Sequence, residues 1–416
     1  MKIAILGAGK QATGALEFLA RFPQECGPVD IVLADTSEAQ QKTAALGQQF
    51  KWSENITSIH IKQCDGSQIE ELIKVLDDCD VAINCMPYFL AYNATLAAIK
   101  SKTHMVDLGG NNTEVQKQLS LDELARKAGI TIIPDCGVAP GMVSLLATDG
   151  ILNSGMDAVD DIKIRVGGLP ANPETAGPLQ YSPTFSLAGL INEYVEPVLV
   201  LRDGEIKTIS PLDEVEEFFG GSAVNYRTLE AFTTSGGCST LPHTFKDSIK
   251  NIDYKTLRYP GHLNALKVLQ STGCFDAKHI QALCDQGNTG DHDVIILRVI
   301  LQGEIFPSIY MKPEHSNLGY KVTRTYNLET RYYYSDRGMR TNYSHVALQE
   351  SNPKYPLISA MMQATAWPAM IVLLLLPKLN KPGVKRQEQT IAPIDFINEL
   401  NKTDLRLQIE EHRYYG

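Results

Sequence analysis

Two aspartates of this chain, Asp107 and Asp135, each follow an apolar run and stand beside a stretch rich in glycine. Apolar runs of this kind predict strands of a parallel sheet, and the carboxyl ends of such strands meet at one edge. A carboxylate at that edge could bind an ammonium group, or act as a base if burial raises its pKa. The same positions also suit a carboxylate that caps the following helix. Asp107 and Asp135 are therefore candidate catalytic residues with a structural alternative.

Two further reactive side chains stand at the same predicted edge. Tyr88 follows Pro87 directly after a strand, so its hydroxyl could reach the same space, and a place in the core is an equal alternative. Cys136 could be a nucleophile, but no histidine partner stands close to it in the sequence. We therefore include Tyr88 among the candidate catalytic residues and interpret Cys136 as a small packed residue.

A separate group of polar residues lies between positions 233 and 262. Arg258 carries a planar guanidinium that matches a carboxylate, and His262 follows it after a Pro-Gly turn and titrates near neutral pH. The structural alternatives are an arginine paired with an acid of the fold and a histidine that is a satisfied polar group. A run of hydroxyls and glycines before them could donate hydrogen bonds to a substrate carboxylate or form a surface loop. Its candidate substrate-binding residues are Thr234, Ser235, Gly236 and Gly237.

The first fourteen residues predict a strand, a tight glycine turn and a helix, with the pattern G-x-G-x-x-A in the turn. Gly7 permits the tight turn, and Gly9 has no Cβ, so a pyrophosphate could approach the backbone. Ala12 is small enough for close packing of helix and strand, and the helix N-terminus favours an anion. The pattern therefore predicts a dinucleotide site, and the alternative is an α/β turn that merely needs small residues.

The second predicted strand ends in Asp35, which could bind the adenosine ribose and repel a 2′-phosphate. No arginine follows Asp35, since the next residues are Thr36, Ser37 and Glu38, and this favours NAD over NADP. Other strand ends should surround the same cofactor. The further predicted contacts are Lys10, Gln11, Thr36, Asp65, Cys85, Met86, Leu108, Gly109, Ala139, Pro140 and Gly141.

The elements that must position these residues alternate between strand and helix at first. Strands at 31–34, 59–61, 81–85, 104–108 and 130–134 are separated by helices at 38–50, 68–77, 90–100 and 121–128. This alternation predicts an α/β fold, a Rossmann-type doubly wound parallel sheet in residues 1–145. Later strands at 162–166, 198–202, 253–259, 294–301 and 320–326, with a helix at 185–194, predict an α+β substrate domain in residues 146–344.

The C-terminal part, residues 345–416, contains a strongly apolar helix at 357–379. A helix with so few polar residues must be buried. We expect it to pack back on the nucleotide domain and complete a discontinuous first domain. The alternative is a contact between two copies of the chain.

Composition excludes several classes of protein. The 416 residues carry a net charge of −10 and no basic run, so we expect no nucleic-acid partner. No signal peptide is visible and the longest apolar run is too short to cross a bilayer, so we expect a cytoplasmic protein with no membrane contact. The 8 cysteines show neither C-x-x-C nor metal-ligand spacing, so we expect reduced thiols and no metal site.

Several motifs resemble the saccharopine dehydrogenase-like family, and in particular its lysine 6-dehydrogenase branch. They are VDLGG at 106–110, PDCGVAPG at 134–141, VGGLP at 166–170, FSL at 185–187, TSGG at 234–237 and LRYPGH at 257–262. Residues 306–350 match no motif of the family. The resemblance implies a Rossmann domain completed by C-terminal helices, a second domain that binds substrate and forms a homodimer, and oxidation of the ε-carbon of L-lysine by NAD.

The resemblance leaves two other functions open. One is a saccharopine- or carboxynorspermidine-type reductase, which joins an amine to a carbonyl. Saccharopine reductases carry an arginine in the segment after the Gly-Gly-Leu-Pro motif, and residues 185–189 contain none, which argues against saccharopine as substrate. The other is a non-catalytic regulator that binds a dinucleotide. It is disfavoured because the candidate polar residues also occupy the second domain, where a pure sensor does not need them.

Overall fold

The computed structural model describes residues 1–51, 53–287, 293–306, 320–331 and 358–415, which form two sheets with helices packed around them. Residues up to 153 form β1 (Lys2–Leu6), α1 (Lys10–Arg21), α2 (Pro23–Cys26), β2 (Val29–Asp35), α3 (Gln40–Gln49), β3 (Ile56–Gln63), α4 (Ile69–Leu76), β4 (Val81–Asn84), α5 (Ala91–Ser101), β5 (His104–Asp107), α6 (Asn112–Leu119), α7 (Asp122–Ala128), β6 (Thr131–Ile133) and α8 (Met142–Asn153). Strand and helix therefore alternate as the apolar pattern predicts.

The rest of the chain is richer in strands. Its elements are β7 (Ala158–Pro170), α9 (Leu187–Val195), β8 (Val198–Arg202), β9 (Glu205–Ile209), β10 (Glu216–Phe219), β11 (Thr228–Thr233), α10 (Leu241–Phe245), β12 (Asn251–Arg258), α11 (His262–Ser271), α12 (Ala277–Cys284), β13 (Asp293–Ile305), β14 (Tyr320–Arg331), α13 (Ala360–Leu375), β15 (Gly383–Val384), α14 (Gln387–Thr390), α15 (Pro393–Leu400) and β16 (Gln408–Tyr415).

The first sheet has seven strands in the order β15-β6-β5-β4-β1-β2-β3, and every neighbouring pair is parallel. All four residues of β4 are buried, as a strand covered on both faces requires. The strand order reverses between β1 and β4, which is where a doubly wound sheet binds its ligand. The predicted Rossmann-type sheet is confirmed.

The second sheet has nine strands, and its main path runs β10-β11-β12-β7-β13-β14-β16. The β12–β7 pair is parallel, whereas β7–β13 and β13–β14 are antiparallel, so the sheet is mixed. This confirms the predicted α+β character of the second part of the chain. Of the unplaced segment 306–350, the described residues are Phe306 and β14.

Helix α13 is apolar on all sides and packs between the two sheets. It lies against α1 so closely that a Cβ on Gly14 would stand 2.7 Å from the carbonyl oxygen of Met362. Trp367 is fully buried and makes edge contacts with the rings of Phe18 and Phe22. The prediction that this helix packs back on the nucleotide domain is therefore confirmed.

The same helix, with its last turn, is long and apolar enough to cross a membrane by length and composition. Its most apolar window is 72% buried within the protein, however, and the core helix of a soluble protein passes the same test. Its N-terminus is capped from the second sheet, since the Asp293 carboxylate accepts hydrogen bonds from the backbone N–H groups of Ala360 (2.6 Å) and Met361 (3.0 Å). Helix α13 thus connects both sheets.

The C-terminal strands divide between the two sheets. Strand β15 pairs with β6 and extends the first sheet, whereas β16 pairs with β14 in the second sheet. The predicted assignment of residues 345–416 to the first domain therefore needs an exception at Gln408–Tyr415, and residues 345–357 lie outside the described part of the chain. The division at 145 and 344 stays a prediction.

In the first half, helices α2 and α6 are absent from the predicted pattern, and α2 is only four residues long. Helix α6 is short and mostly polar, so hydrophobic periodicity gives little signal for it. Its start is defined by a cap, because the Asn111 side chain accepts a hydrogen bond from the backbone N–H of Glu114 at 3.0 Å. In the sequence, Asn111 followed three residues later by Glu114 is a pattern that indicates the start of this helix.

A candidate active site between the two sheets

A cavity of about 410 Å³ opens between the carboxyl ends of the first sheet and one face of the second. The first sheet contributes Gly9, Lys10, Gln11, Cys85, Met86, Pro87, Tyr88, Leu108, Gly109, Gly110, Gly137, Val138, Ala139 and Pro140. The second part of the chain contributes Val166, Gly168, Phe185, Ser186, Gly189, Glu193, Tyr254, Thr256 and Arg258, and α13 contributes Met361 and Thr365. We refer to the residues from the first sheet as the first wall, and to those from the second part of the chain as the second wall.

The glycine turn of the first wall has the geometry of a pyrophosphate site. Gly7 has φ +89°, and a Cβ there would stand 3.1 Å from the backbone of Cys85. A Cβ on Gly9 would meet nothing within 4 Å, so the space above it is open to a ligand. Gly9 also caps α1 without any side-chain hydrogen bond, which leaves the first-turn N–H groups available to an anion. These residues fit a dinucleotide.

Asp35 ties the same turn to the end of β2. Its carboxylate accepts hydrogen bonds from the backbone N–H groups of Ala8 and Thr36, both at 2.7 Å. Two exposed acids, Glu38 and Asp65, stand near this end of the sheet. Hydrogen bonds from its own backbone and from nearby hydroxyls lower the pKa of Glu38, and hydrogen bonds from Ser67 lower that of Asp65. This end of the cleft is therefore negative at neutral pH.

The predicted cofactor residues divide by position. Those that line the cavity are Gly9, Lys10, Gln11, Cys85, Met86, Leu108, Gly109, Ala139 and Pro140. Gly7, Ala12, Asp35, Thr36, Asp65 and Gly141 are not among its lining residues. Ala12 is fully buried and Gly141 has φ +131°, so these two shape the turns that carry their neighbours.

Asp107 is buried behind the first wall and does not line the cavity. Its carboxylate accepts hydrogen bonds from the backbone N–H groups of Gly109 (2.9 Å) and Asp135 (3.1 Å) and from the Gln118 amide (2.5 Å). Burial raises the pKa of Asp107, and these hydrogen bonds oppose the shift. The Asp107 carboxylate therefore stabilises the segments that carry Gly109 and Asp135.

Asp135 is likewise buried and absent from the cavity wall. It accepts hydrogen bonds from the Ser239 hydroxyl and from the backbone N–H of Gly110 at 3.3 Å. Burial, and next the nearby charge of Asp107, raise the pKa of Asp135 to about 8. The structure therefore brings both aspartates behind the Gly109-Gly110 turn, not to the cavity surface where direct contact with substrate was predicted.

Strand β12 contributes three polar side chains to the second wall. Tyr254, Thr256 and Arg258 alternate along β12, so all three point to the same face, and all three line the cavity. Thr256 pairs in parallel register with Val166 of β7, another lining residue. The Thr256 hydroxyl lies 2.7 Å from the Thr234 hydroxyl, so this group has a partner already.

Arg258 is buried and held rigidly. Its Nε donates to the Tyr194 hydroxyl at 2.9 Å, its Nη1 donates to the Leu257 carbonyl at 3.0 Å, and its Cζ lies 4.9 Å above the Tyr181 ring. Within the described residues, Nη2 has no hydrogen-bond partner. Arg258 can therefore present Nη2 to a carboxylate in the cavity, as predicted for a substrate-binding residue.

His262 does not reach the cavity, which corrects its predicted role in proton transfer. Its Nδ1 lies 2.7 Å from the Leu179 carbonyl oxygen and its Nε2 lies 3.2 Å from the Tyr194 hydroxyl. Burial and the charge of Arg258 lower the pKa of His262 to about 3, so it is uncharged at neutral pH. It supports Tyr194, which in turn supports Arg258.

The predicted loop at 234–237 also acts from behind the wall. The Ser235 hydroxyl donates to the Pro197 carbonyl at 3.1 Å, and Gly237 packs against the Tyr254 ring. Gly236 has φ +90°, and a Cβ there would stand 3.1 Å from the carbonyl oxygen of Gly110. None of the four predicted residues lines the cavity, and Tyr88 is the candidate catalytic residue that does.

Glu193 lines the cavity and was missed by sequence reasoning. It is partly buried on α9, one turn after Gly189, which lines the cavity as well. Burial raises the pKa of Glu193 to about 7, and the charge of Arg258 opposes that shift. The available signal was the i, i+4 spacing of Gly189 and Glu193 on the predicted helix at 185–194.

Comparison with known proteins finds two adjoining family matches. Residues 3–133 match the family model described as saccharopine dehydrogenase NADP binding domain, and residues 137–405 match the saccharopine dehydrogenase C-terminal domain. Mitochondrial alpha-aminoadipic semialdehyde synthase of Bos taurus is 26% identical over 296 residues, covering 69% of this chain and 30% of that protein. The chain thus spans about 30% of the length of this curated relative.

Two matches come from Saccharomyces cerevisiae. Saccharopine dehydrogenase (NADP(+), L-glutamate-forming) is 28% identical over 174 residues, covering 41% of this chain and 38% of that protein. The solved structure of apo histidine-tagged saccharopine dehydrogenase (L-Glu forming) covers 99% of each chain with a TM-score of 0.69 at 18% identity. At that identity the structural likeness establishes a shared fold.

Proposed function

The chain belongs to the saccharopine dehydrogenase family, and on that premise we propose that it is an NAD-dependent dehydrogenase of a basic amino acid, L-lysine. The reaction would pass a hydride from the ε-carbon of the CH–NH2 group to NAD, and water would hydrolyse the resulting imine to 2-aminoadipate 6-semialdehyde and ammonia. One observation carries the proposal: a buried arginine, whose Nη2 has no hydrogen-bond partner among the described residues, faces a glycine turn that fits a dinucleotide across a single cavity. A carboxylate-bearing substrate and a nucleotide can therefore meet there.

Each wall has its own part in the proposed reaction. The N–H groups at the start of α1 would hold the pyrophosphate, and the apolar side chains of Met86 and Pro140 would exclude water beside the cofactor. A bound nicotinamide would accept the hydride from the carbon that bears the amine. Arg258 would fix the substrate carboxylate, and Tyr88 is the phenol placed on the cavity wall to exchange a proton with the amine or with water.

We propose NAD as the cofactor, although the matched family model is described as NADP binding and the yeast relative's name specifies NADP(+). The support is electrostatic. Asp35, Glu38 and Asp65 place negative charge near the end of β2, where a 2′-phosphate would have to bind. These negative charges would repel the 2′-phosphate and so disfavour NADP.

Replacing Asp35 with Ala tests this preference. We expect Asp35→Ala to weaken NAD binding by about tenfold and NADP binding by less, since the substitution removes both a ribose acceptor and a repulsive charge. Binding of both cofactors is measured by calorimetry. Asp30→Ala is the matched control, because Asp30 stands near the opposite end of β2 and accepts a hydrogen bond from Ser58. An equal loss for both cofactors would contradict the proposed role of Asp35.

The activity itself is tested by incubating the protein with NAD and a panel of amino acids and polyamines and following the absorbance of reduced cofactor. Reduction with L-lysine is the expected result. A secondary-amine product from amine, 2-oxoacid and reduced cofactor would support the reductase alternative. Within that alternative, saccharopine as substrate is disfavoured because the segment 185–189 has no arginine. Cofactor binding without turnover of any amine would support a regulator.

We also propose that the protein is a cytoplasmic homodimer with neither a nucleic-acid nor a membrane partner. The net charge of −10 supports the absence of a nucleic-acid partner. Light scattering coupled to gel filtration gives the oligomeric state directly, and a mass of one chain would contradict the dimer.

A further inference from the structure

Hydrogen bonds from both sides of the cavity fix the end of helix α9, which carries Glu193. The Glu193 carbonyl accepts a hydrogen bond from the backbone N–H of Ser235 at 2.9 Å. The neighbouring Asn192 amide donates to the carbonyl of Gly110 at 2.8 Å and accepts from the Asn111 amide at 2.7 Å. The backbone that carries Glu193 is therefore tied to the first sheet and to the second, which is the rigidity that a recognition residue needs.

The Glu193 carboxylate has no partner of its own within the described residues. It forms neither a hydrogen bond nor an ion pair within 4.0 Å, although Arg258 is near enough to influence its pKa. Arg258 likewise retains a free Nη2. Two opposite charges that line one cavity without pairing leave a gap that a ligand bearing both complementary charges can bridge.

We infer that Glu193 and Arg258 together recognise the head group of a free α-amino acid, with the Glu193 carboxylate binding the α-ammonium and Arg258 Nη2 binding the α-carboxylate. An α-amino acid zwitterion carries these two charges on groups attached to the same carbon, so it can satisfy both protein groups at once. The inference rests on the proposed function, because it places the amino-acid substrate in the same cavity. Gly189, one turn before Glu193 on the same helix, lines the same cavity.

The inference separates three ligands of similar length. L-Lysine has both head-group charges, 6-aminohexanoate lacks the α-ammonium, and cadaverine lacks the α-carboxylate. Each lost charge leaves a partly desolvated protein charge unpaired, which weakens binding more than the loss of a solvated contact does. The wild-type protein should therefore bind L-lysine at least about tenfold more tightly than 6-aminohexanoate.

Calorimetric binding of L-lysine and 6-aminohexanoate to the protein loaded with NADH, which cannot accept a hydride, tests the inference. Glu193→Gln keeps the size of the side chain and removes its charge. In this variant the dissociation constants of L-lysine and 6-aminohexanoate should differ by no more than about threefold. Glu196→Gln is the matched control, since Glu196 is exposed just beyond the same helix, and it should keep the wild-type preference. A melting temperature equal to that of the wild type establishes that each variant is folded.

The outcomes distinguish this inference from the proposed function. If Glu193→Gln keeps the wild-type preference while L-lysine is still oxidised, the inference is overturned and the function stands. If the preference depends on Glu193 but no amine is oxidised, the inference stands and the function is overturned. Equal binding of the two ligands by the wild-type protein also overturns the inference.

Discussion

The two walls of the cleft use different parts of the chain to make contact. The first wall is mostly backbone and small residues, with Gly9, the Gly109-Gly110 turn and residues 137–140 at its surface. The second wall presents charged and hydroxylated side chains from β12 and α9. A backbone wall binds by shape and dipole, which suits a cofactor shared by many enzymes, whereas a side-chain wall can be altered residue by residue. We therefore expect cofactor binding and substrate choice to be separable.

The largest expected effect comes from breaking the second wall at Arg258. We expect Arg258→Lys to lower kcat/KM for L-lysine by about 100-fold, because a charge-assisted hydrogen bond contributes up to about 3 kcal/mol and an ammonium cannot keep the guanidinium geometry. Cofactor affinity should not change. Steady-state kinetics and cofactor titration measure both quantities, with Arg227→Lys as control, since Arg227 is a surface residue paired with Glu174. A parallel loss of cofactor affinity would mean that the walls are not separable.

A substitution in the first wall should have the reverse pattern. Gly9→Ala places a methyl group in the open space above the turn, so the Kd of the cofactor should rise by about tenfold while the melting temperature stays unchanged. Gly7→Ala is the contrasting variant. Its left-handed φ and the nearby Cys85 backbone should lower the free energy of unfolding by about 1–3 kcal/mol as well. Thermal melting and calorimetry compare the two, and equal destabilisation would contradict this account of Gly9.

The pH dependence of substrate binding sharpens the comparison further. Since the pKa of Glu193 is raised to about 7, the carboxylate becomes protonated as the pH falls through that value. The KM for L-lysine should then rise by about eightfold between pH 7.5 and 6, whereas the Kd of the cofactor should stay constant. The charged and titratable groups facing Glu193 are Arg258, Tyr181, Tyr194 and Tyr254, and burial raises the pKa of each tyrosine away from this range. A Glu193→Gln variant that retains the wild-type profile would exclude Glu193 as its source.

The smallest effect is expected behind the first wall, at Asp135. Because its pKa in the folded state is raised to about 8, the folded protein binds that proton more tightly than the unfolded chain does. The corresponding stability is present at low pH and is lost as the pH rises through about 8. Asp135→Asn should therefore flatten the decline of unfolding free energy between pH 5 and 8 and lower kcat by less than about tenfold. Denaturant titrations and kinetics test this, and a collapse of kcat would restore Asp135 as a catalytic residue.

Local constraints made part of this site predictable. The conformation of the glycine turn is determined by neighbouring residues, so its sequence pattern is enough to predict a nucleotide site. Arg258 was predictable as a carboxylate-binding residue because of its guanidinium group. The alternation of Tyr254, Thr256 and Arg258 on one strand was equally available in the sequence. These features follow from a short stretch of chain whose geometry needs no distant partner.

The remaining site residues depend on packing between distant segments. Asp135 stands at a strand end as predicted, yet Ser239 of the second domain draws its carboxylate behind the wall. His262 follows a Pro-Gly turn and its type suggested proton transfer, but its two ring nitrogens lie against Tyr194 and Leu179. Glu193 lines the cavity on a helix whose end is bonded to Gly110 and Ser235, which are distant in sequence. Spacing along the chain does not contain these contacts.

The placement of α13 and β15 affects how the chain can fold during synthesis. When the ribosome has released residues up to 153, the first sheet still lacks its edge strand Gly383–Val384, and Gly14 still lacks the helix that packs against it. The apolar face of α1 then stays uncovered until almost the whole second domain has been translated. The nucleotide-binding half therefore cannot mature first as an independent N-terminal domain, and a truncated product ending near residue 153 should aggregate.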